Sequence, residues 1–331
     1  MKAYVLHGVG DLRYEDVPMP EPWPGWAVVR VLAAGICSSD IPRIFEKGTY
    51  HFPTIPGHEF CGRVEQVADE GDRSWIGKRV GVFPLIPCRQ CPSCQKGEYE
   101  TCSHYDYIGS RRDGGFAEFV AVPVWNLIEL PDAVGNIQGA LLEPAAVALH
   151  AVKRASVKPG DAVCVVGTGA IGLMAGQWAK IYGAGQVAVK GRSEEKRELV
   201  QRCGLEYFTG TDGGCGCVIE AVGSAEALEE SLALAAPGGR VVLMGNPDGA
   251  RTLSQELYWS ILRKQLTLIG TWNSSYGGGN SDWAETARLV SEGKLQVEKI
   301  VSHVLERERL ERGLAVMRDK SEPYCKVVVT G

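Results

Sequence analysis

No stretch of this 331-residue sequence approaches the roughly 18 consecutive apolar residues of a membrane helix, so no membrane association is expected. The first ten residues lack a cationic segment followed by an apolar run, so no secretion signal is expected and the cytoplasm is the default compartment. A basic tail or stripe is missing too. The 35 Lys and Arg are outnumbered by 40 Asp and Glu, for a net charge of −5, with both signs spread along the chain. A nucleic-acid partner has little support, because such proteins concentrate positive charge on one face. Internal repeats and low-complexity linkers are also lacking.

What is present suits two globular domains of roughly 100–200 residues each. An apolar fraction of 45% and a charged fraction of 23% are enough for real cores. The 11 cysteines are many for a reducing compartment, where metal binding is a better reading than disulfides.

The first third reads as strands, with β-type runs at residues 27–32, 78–86 and 116–130 between Gly and Pro breakers. A helix over 143–156 opens on Pro144, where a missing N–H costs nothing. Beyond it, strands at 162–166, 186–189, 217–221, 240–245 and 265–270 alternate with helices at 173–182, 193–203 and 225–235. That alternation predicts a doubly wound parallel sheet. A helix at 282–292, a strand at 300–305, a helix at 307–318 and a strand at 326–330 follow. The tail is expected to rejoin the first domain, giving 1–145 with 275–331 as one domain and 146–274 as the other.

Gly167-Thr168-Gly169-Ala170-Ile171-Gly172 fits G-x-G-x-x-G between a strand and a helix, the context of a dinucleotide loop. Gly167 allows the tight turn, Gly169 lets backbone approach a pyrophosphate, and Gly172 permits close helix–strand packing. The acid that normally ends the next strand and binds the ribose hydroxyls is missing. Lys190, Gly191 and Arg192 stand there instead. Space at Gly191 and positive charge beside it suit a 2′-phosphate, so NADP is expected over NAD.

Cys88, Cys91, Cys94 and Cys102 form a C-x-x-C-x-x-C cluster with a fourth thiol seven residues on. Four thiolates so close can close a tetrahedron around Zn²⁺ and leave no open position, the pattern of a structural site. An iron–sulfur cluster is the alternative, though a hydride cofactor argues against it. A nucleic-acid zinc ribbon conflicts with the acidic chain.

Three further residues have ligand chemistry: Cys37 after the first strong strand, His58 in Pro56-Gly57-His58-Glu59, and Glu143 before Pro144. Three protein ligands and one open position define a catalytic zinc site. In this order, with the lobe and the glycine loop, the sequence resembles the zinc-containing medium-chain dehydrogenases over nearly its whole length. That resemblance implies a GroES-like β-rich catalytic domain and a Rossmann domain, with the active site in the cleft between them. It implies two Zn²⁺ per chain, with Cys37, His58 and Glu143 holding the catalytic one and Glu59 an alternate ligand. Asp40 would orient the ligating histidine, and Ser39 would contact the alcohol and relay its proton.

Glu143 followed by Pro144 resembles the polyol dehydrogenase branch, where simple alcohol dehydrogenases carry Cys. Residues 39–45, 107–116 and 261–270 extend the resemblance to members acting on a polyol phosphate. Arg43, Arg111 and Arg112 lie in these stretches and are the candidates to bind the phosphate. An unphosphorylated polyol or another secondary alcohol is the alternative substrate. A catalytically silent zinc- and nucleotide-binding protein is the alternative from another class. Tyr50 and His51 are candidates to line the substrate pocket. The segment 203–217 is shorter than the resemblance predicts. The family also implies a dimer or tetramer built by joining Rossmann sheets.

Overall fold

Strand Trp26–Ile36 is the longest in the first third of the chain, and two later segments are built onto its far end. Its residues, WAVVRVLAAGI, are rich in the β-branched side chains that fit a pleated surface. Glu59–Val67 and Phe119–Pro123 pair with it antiparallel, as does the last strand, Lys326–Thr330. The seven-stranded sheet runs Val301–Glu306, Lys326–Thr330, Trp26–Ile36, Glu59–Val67, Arg79–Val82, Leu127–Glu129, with Phe119–Pro123 also bonded to Trp26–Ile36. Register matters at one point. Gly35 is opposite Val328 on one flank and Glu59 on the other, so Lys326 and Glu59 meet beside the strand's end.

The computed structural model describes residues 1–192, 194–210, 213–277 and 281–331. The chain divides into Met1–Glu143, Ser275–Glu292 and Val301–Gly331 as one unit and Pro144–Ser274 with Gly293–Ile300 as the other. The expected bounds differ from this at 144–145 and at 293–300. Gln296 explains the second difference: its N–H donates to Gln177 Oε1 at 3.0 Å, within the second unit. Among the described residues no helix is long and apolar enough to cross a membrane.

In the first unit, an aromatic cluster fastens the returning segment. Tyr276 stacks on Phe83 at 4.5 Å, and Trp283, 1% exposed, meets both rings edge-on. Trp125 joins Tyr276 at 4.9 Å and also carries the cysteine lobe, through Tyr99 at 5.0 Å and the Arg89 guanidinium at 4.6 Å. The lobe is the connection between two short paired strands, Leu85–Ile86 and Asp106–Tyr107.

The second unit is a six-stranded, wholly parallel sheet in the order Glu206–Phe208, Gln186–Lys190, Ala162–Val166, Cys215–Glu220, Ala235–Leu243, Thr267–Gly270. This is the doubly wound order expected of a dinucleotide-binding sheet. The helix expected over 143–156 is Leu142–Arg154, and that expected over 173–182 is Ala170–Ile181. Ser193, read as the start of the helix over 193–203, lies outside the described residues, and the helix itself is Arg197–Arg202. Helix Gln255–Lys264 was not anticipated. Ser254 caps it by accepting from Leu257 N, and none of its residues is buried.

Candidate active site and metal centres

Cys37 leaves the end of strand Trp26–Ile36, and the turn after it folds back on it. Cys37 N donates to Asp40 Oδ2 at 2.9 Å, and Ser39 Oγ donates to Cys37 Sγ at 3.3 Å. Asp40 is fully buried, and its other oxygen lies 3.5 Å from His58 Nδ1. With Nδ1 turned to a carboxylate, Nε2 is the nitrogen left to ligate, the usual arrangement behind a metal-binding histidine.

Ligand atoms of Cys37, His58 and Glu59 lie within 4.8 Å of one another. Glu143 is outside that group, which differs from the expected trio with Glu59 as alternate. The reason is the ladder: Glu59 opposes Gly35 and is carried to the strand end, whereas Glu143 enters from a helix start. Glu143 is nonetheless buried nearby, where the Tyr107 hydroxyl donates to its Oε1 at 3.4 Å. Burial pushes its pKa up to about 7 against the pull of His58. For His58, burial opposes the charged form, but Asp40 and Cys37 outweigh it and hold the imidazole pKa well above its ordinary value.

Two residues here carried no sequence-level role. Lys326, 3% exposed, forms an ion pair with Glu59 and donates to the Ile36 carbonyl at 2.9 Å. A Cβ on Gly35 would collide with the Glu59 carboxylate, so the pair depends on glycine at that position. The signal for Lys326 was a lysine opening the apolar run Val327-Val328-Val329. Tyr107, whose ring lies 5.8 Å from that of His58, gave no such signal.

A cysteine sulfur, an imidazole and carboxylates converging in a buried place are a donor set that fits Zn²⁺. The lobe also fits. Cys88, Cys91, Cys94 and Cys102 present sulfurs within 4.8 Å of one another, with Sγ–Sγ distances of 4.0 Å (Cys88–Cys94) and 3.9 Å (Cys91–Cys102). Zn–S bonds of about 2.3 Å give a tetrahedron edge of about 3.8 Å. That spacing suits a single ion, whereas the irons of a cluster would hold the thiolates farther apart. Backbone N–H groups of Cys94 and Ser103 bring Cys91 down to about 5, while burial and the neighbouring thiols push Cys94 up to about 12.

In the second unit, Gly167 through Gly172 join strand Ala162–Val166 to helix Ala170–Ile181, with Gly169 at the N-cap and Thr168, Ala170 and Ile171 half-buried. A Cβ on Gly172 would strike the Gly167 carbonyl, whereas Gly169 faces open space. The helix N-terminus and bare Gly169 fit a pyrophosphate. The expected 2′-phosphate surroundings are altered in two respects. Lys190 is buried and donates to the Thr209 carbonyl at 2.7 Å, and the space beside Gly191 is filled by the Tyr207 ring. Arg192 remains exposed, donating to Ser224 Oγ at 3.2 Å.

The three candidate arginines separate. Arg43 donates to Asp40 Oδ1 at 3.2 Å and Arg112 to Asp106 Oδ2 at 2.6 Å. Arg111 packs its guanidinium against the Tyr50 and Tyr105 rings. A cavity of about 540 Å³ reaches Arg111 and His51 but none of Cys37, His58, Glu59 or Glu143.

The "Alcohol dehydrogenase GroES-like domain" family model matches residues 23–132, and the "Zinc-binding dehydrogenase" model matches 170–292. The chain is 35% identical to galactitol 1-phosphate 5-dehydrogenase of Escherichia coli (strain K12) over 319 residues, 92% of each chain. It is 32% identical to L-galactonate-5-dehydrogenase of the same strain, over 92% of this chain and 91% of that one. Its fold matches a crystal structure described as a putative zinc-binding dehydrogenase from Sinorhizobium meliloti 1021 bound to NADP. The TM-score is 0.90 at 31% identity, over 100% of this chain and 99% of that one.

Lys326→Met should strand the Glu59 carboxylate without its cation. Removing one partner of a buried pair costs about 3–5 kcal/mol, so urea denaturation of the variant should show a clearly lower midpoint. An unchanged midpoint would mean that the pair is not what keeps Glu59 buried.

Proposed function

Since the chain belongs to the zinc-binding alcohol dehydrogenases, we propose that it exchanges hydride between NADP and a secondary hydroxyl of a polyol phosphate resembling galactitol 1-phosphate. The observation that carries this reading is the convergence of Cys37, His58 and Glu59, with Glu143 beside them, in a chain whose glycine loop has dinucleotide form. When bound, zinc supplies Lewis acidity and the nicotinamide a hydride acceptor. Cys37 and His58 would hold the catalytic ion, with Glu59 or Glu143 as the carboxylate ligand. Asp40, 3.5 Å from His58 Nδ1, would orient the ring so that Nε2 is presented to the ion. Ser39 Oγ, half-buried beside Cys37, would accept the substrate's hydroxyl proton and pass it toward solvent. Cys88, Cys91, Cys94 and Cys102 would hold a second, structural ion.

NADP is favoured by the missing carboxylate after strand Gln186–Lys190 and by the exposed Arg192. An unphosphorylated polyol is the second reading. It is favoured by the commitment of Arg43 and Arg112 to carboxylates.

A second copy of the chain is the partner we expect. Strand Thr267–Gly270 is the edge of the parallel sheet and exposes Leu268; Trp272 follows it exposed, and Tyr258, Trp259 and Leu262 are exposed on the preceding helix, Gln255–Lys264. An unpaired edge strand with exposed apolar side chains suits a two-fold contact.

Zinc-loaded protein assayed with NADP⁺ and NAD⁺ should reduce NADP⁺ with the higher kcat/KM. Arg192→Ala should lower the NADP⁺ value at least about tenfold, the effect of one charge-assisted contact, and barely move that for NAD⁺. A wild-type preference for NAD⁺ contradicts the cofactor assignment. Ser39→Ala should lower kcat/KM, and unchanged turnover would remove Ser39 from the proton path. Leu268→Glu should give a protein of monomer mass by light scattering. An assembly of unchanged mass would place the contact elsewhere.

A further inference from the structure

Arg111 differs from its two neighbours in what surrounds its charge. Arg43 and Arg112 are each bonded to a carboxylate, but Arg111 makes no ion pair among the described residues. Its guanidinium carbon lies 4.2 Å from the centroid of the Tyr50 ring and 4.7 Å from that of Tyr105. Nη1 donates to the Tyr105 carbonyl at 3.0 Å, and the buried Nε has no hydrogen-bond partner.

The clamp is held by its own backbone. Arg111 N donates to the Tyr107 carbonyl at 2.9 Å. Thr49 Oγ1 donates to the Ser110 carbonyl at 2.5 Å, and His51 Nε2 lies 3.1 Å from the Arg111 carbonyl oxygen. The segment carrying Tyr50 is therefore tied to the loop carrying Arg111 on both sides of the ring. Aromatic contacts then lead from the clamp to the metal-ligand cluster. Tyr105 meets Tyr107 at 6.2 Å, Tyr107 meets His58 at 5.8 Å, and the Tyr107 hydroxyl reaches Glu143.

A guanidinium held against two rings, with Nη1 donating to a carbonyl, has little freedom left to turn. A fixed edge of N–H groups matches an oxyanion that accepts two parallel hydrogen bonds. Little side-chain entropy remains to be lost when such an anion arrives. We propose that Arg111, held against Tyr50 and Tyr105, binds a terminal oxyanion of the polyol substrate at the end remote from the reacting hydroxyl. This rests on the dehydrogenase reading above and names the feature that selects the substrate. A phosphate ester and a carboxylate share the required chemistry, so both are substrate arms of the test.

The experiment compares zinc-loaded wild type, Arg111→Ala, Arg111→Lys and Arg112→Ala on a hexitol phosphate, a hexonate and the free hexitol. For Arg111→Ala, kcat/KM for the anionic substrate relative to the free hexitol should fall about 10- to 100-fold, mostly through KM, the factor expected of one or two charge-assisted hydrogen bonds. Arg111→Lys, a point charge without the fork, should recover only part of that ratio. Arg112→Ala should leave it unchanged. A loss confined to the phosphate ester or to the hexonate identifies the anion. Equal loss on all three substrates would reduce Arg111 to a loop brace and overturn the proposal, as would no loss. Turnover of the free hexitol alone by the wild type would overturn it while leaving the dehydrogenase reading intact. If the wild type turns over none of the three, the polyol reading fails. Calorimetric titration with the hexitol phosphate and the hexonate then decides the anion site. Binding to the wild type that is lost in Arg111→Ala supports it, and no binding to the wild type overturns it.

Discussion

A buried carboxylate costs several kcal/mol unless a cation or hydrogen-bond donors accompany it, and the first unit buries three around one point. Asp40, Glu59 and Glu143 are 0%, 1% and 6% exposed. Asp40 is answered by His58, Arg43 and the Cys37 N–H, and Glu59 by Lys326. Glu143 has the Tyr107 hydroxyl and a pKa raised by burial to about 7. The three carboxylates are thus matched by three cationic side chains, His58, Arg43 and Lys326. Keeping these charges paired in one buried place is the constraint on which the site depends. A divalent ion held where Cys37, His58 and Glu59 converge would displace protons from the ligands that hold them.

The backbone makes the arrangement possible. Strand Trp26–Ile36 is paired on both flanks, so Glu59 arrives from one side and the last strand delivers Lys326 from the other. Gly35 leaves the room in which their side chains meet. The cysteine lobe contributes in a different way. It joins the two strands of the small ladder that carries Tyr107, and it is braced on Trp125 by Tyr99 and Arg89. A metal in the lobe would thus stabilise the hairpin that places Tyr107 over His58.

Much of this was legible in the order of residues. The four-cysteine spacing, the glycine loop between strand and helix, and the parallel sheet were all readable because each rests on local pattern. Cys37 and His58 were readable as candidates for one site by their chemistry and context, and their ligand atoms do come together. What stayed hidden depends on contacts distant in sequence. Lys326 lies 267 positions from Glu59, and only the strand ladder brings them together. For the same reason Glu59 stands closer to the ligand group than its reading as an alternate implied. Gly191 suggested open space because the sequence does not show that Tyr207 fills it. Lys190 suggested an exposed charge, but it is buried against the Thr209 carbonyl. Helix Gln255–Lys264 was missed although Leu257 and Ile261, four residues apart, pack against the core of the second unit; its exposed Tyr258, Trp259 and Leu262 blur that stripe in the sequence.

The central claim is that two separate groups of residues each hold one metal ion. Elemental analysis of protein produced with ample zinc, then freed of loosely bound metal, tests it directly. The account predicts about two equivalents in the wild type and about one in each of Cys37→Ser and Cys94→Ser, with only the second ion essential to the lobe. Two equivalents retained in Cys37→Ser, in a folded protein, would contradict the assignment of a metal to the Cys37, His58 and Glu59 cluster.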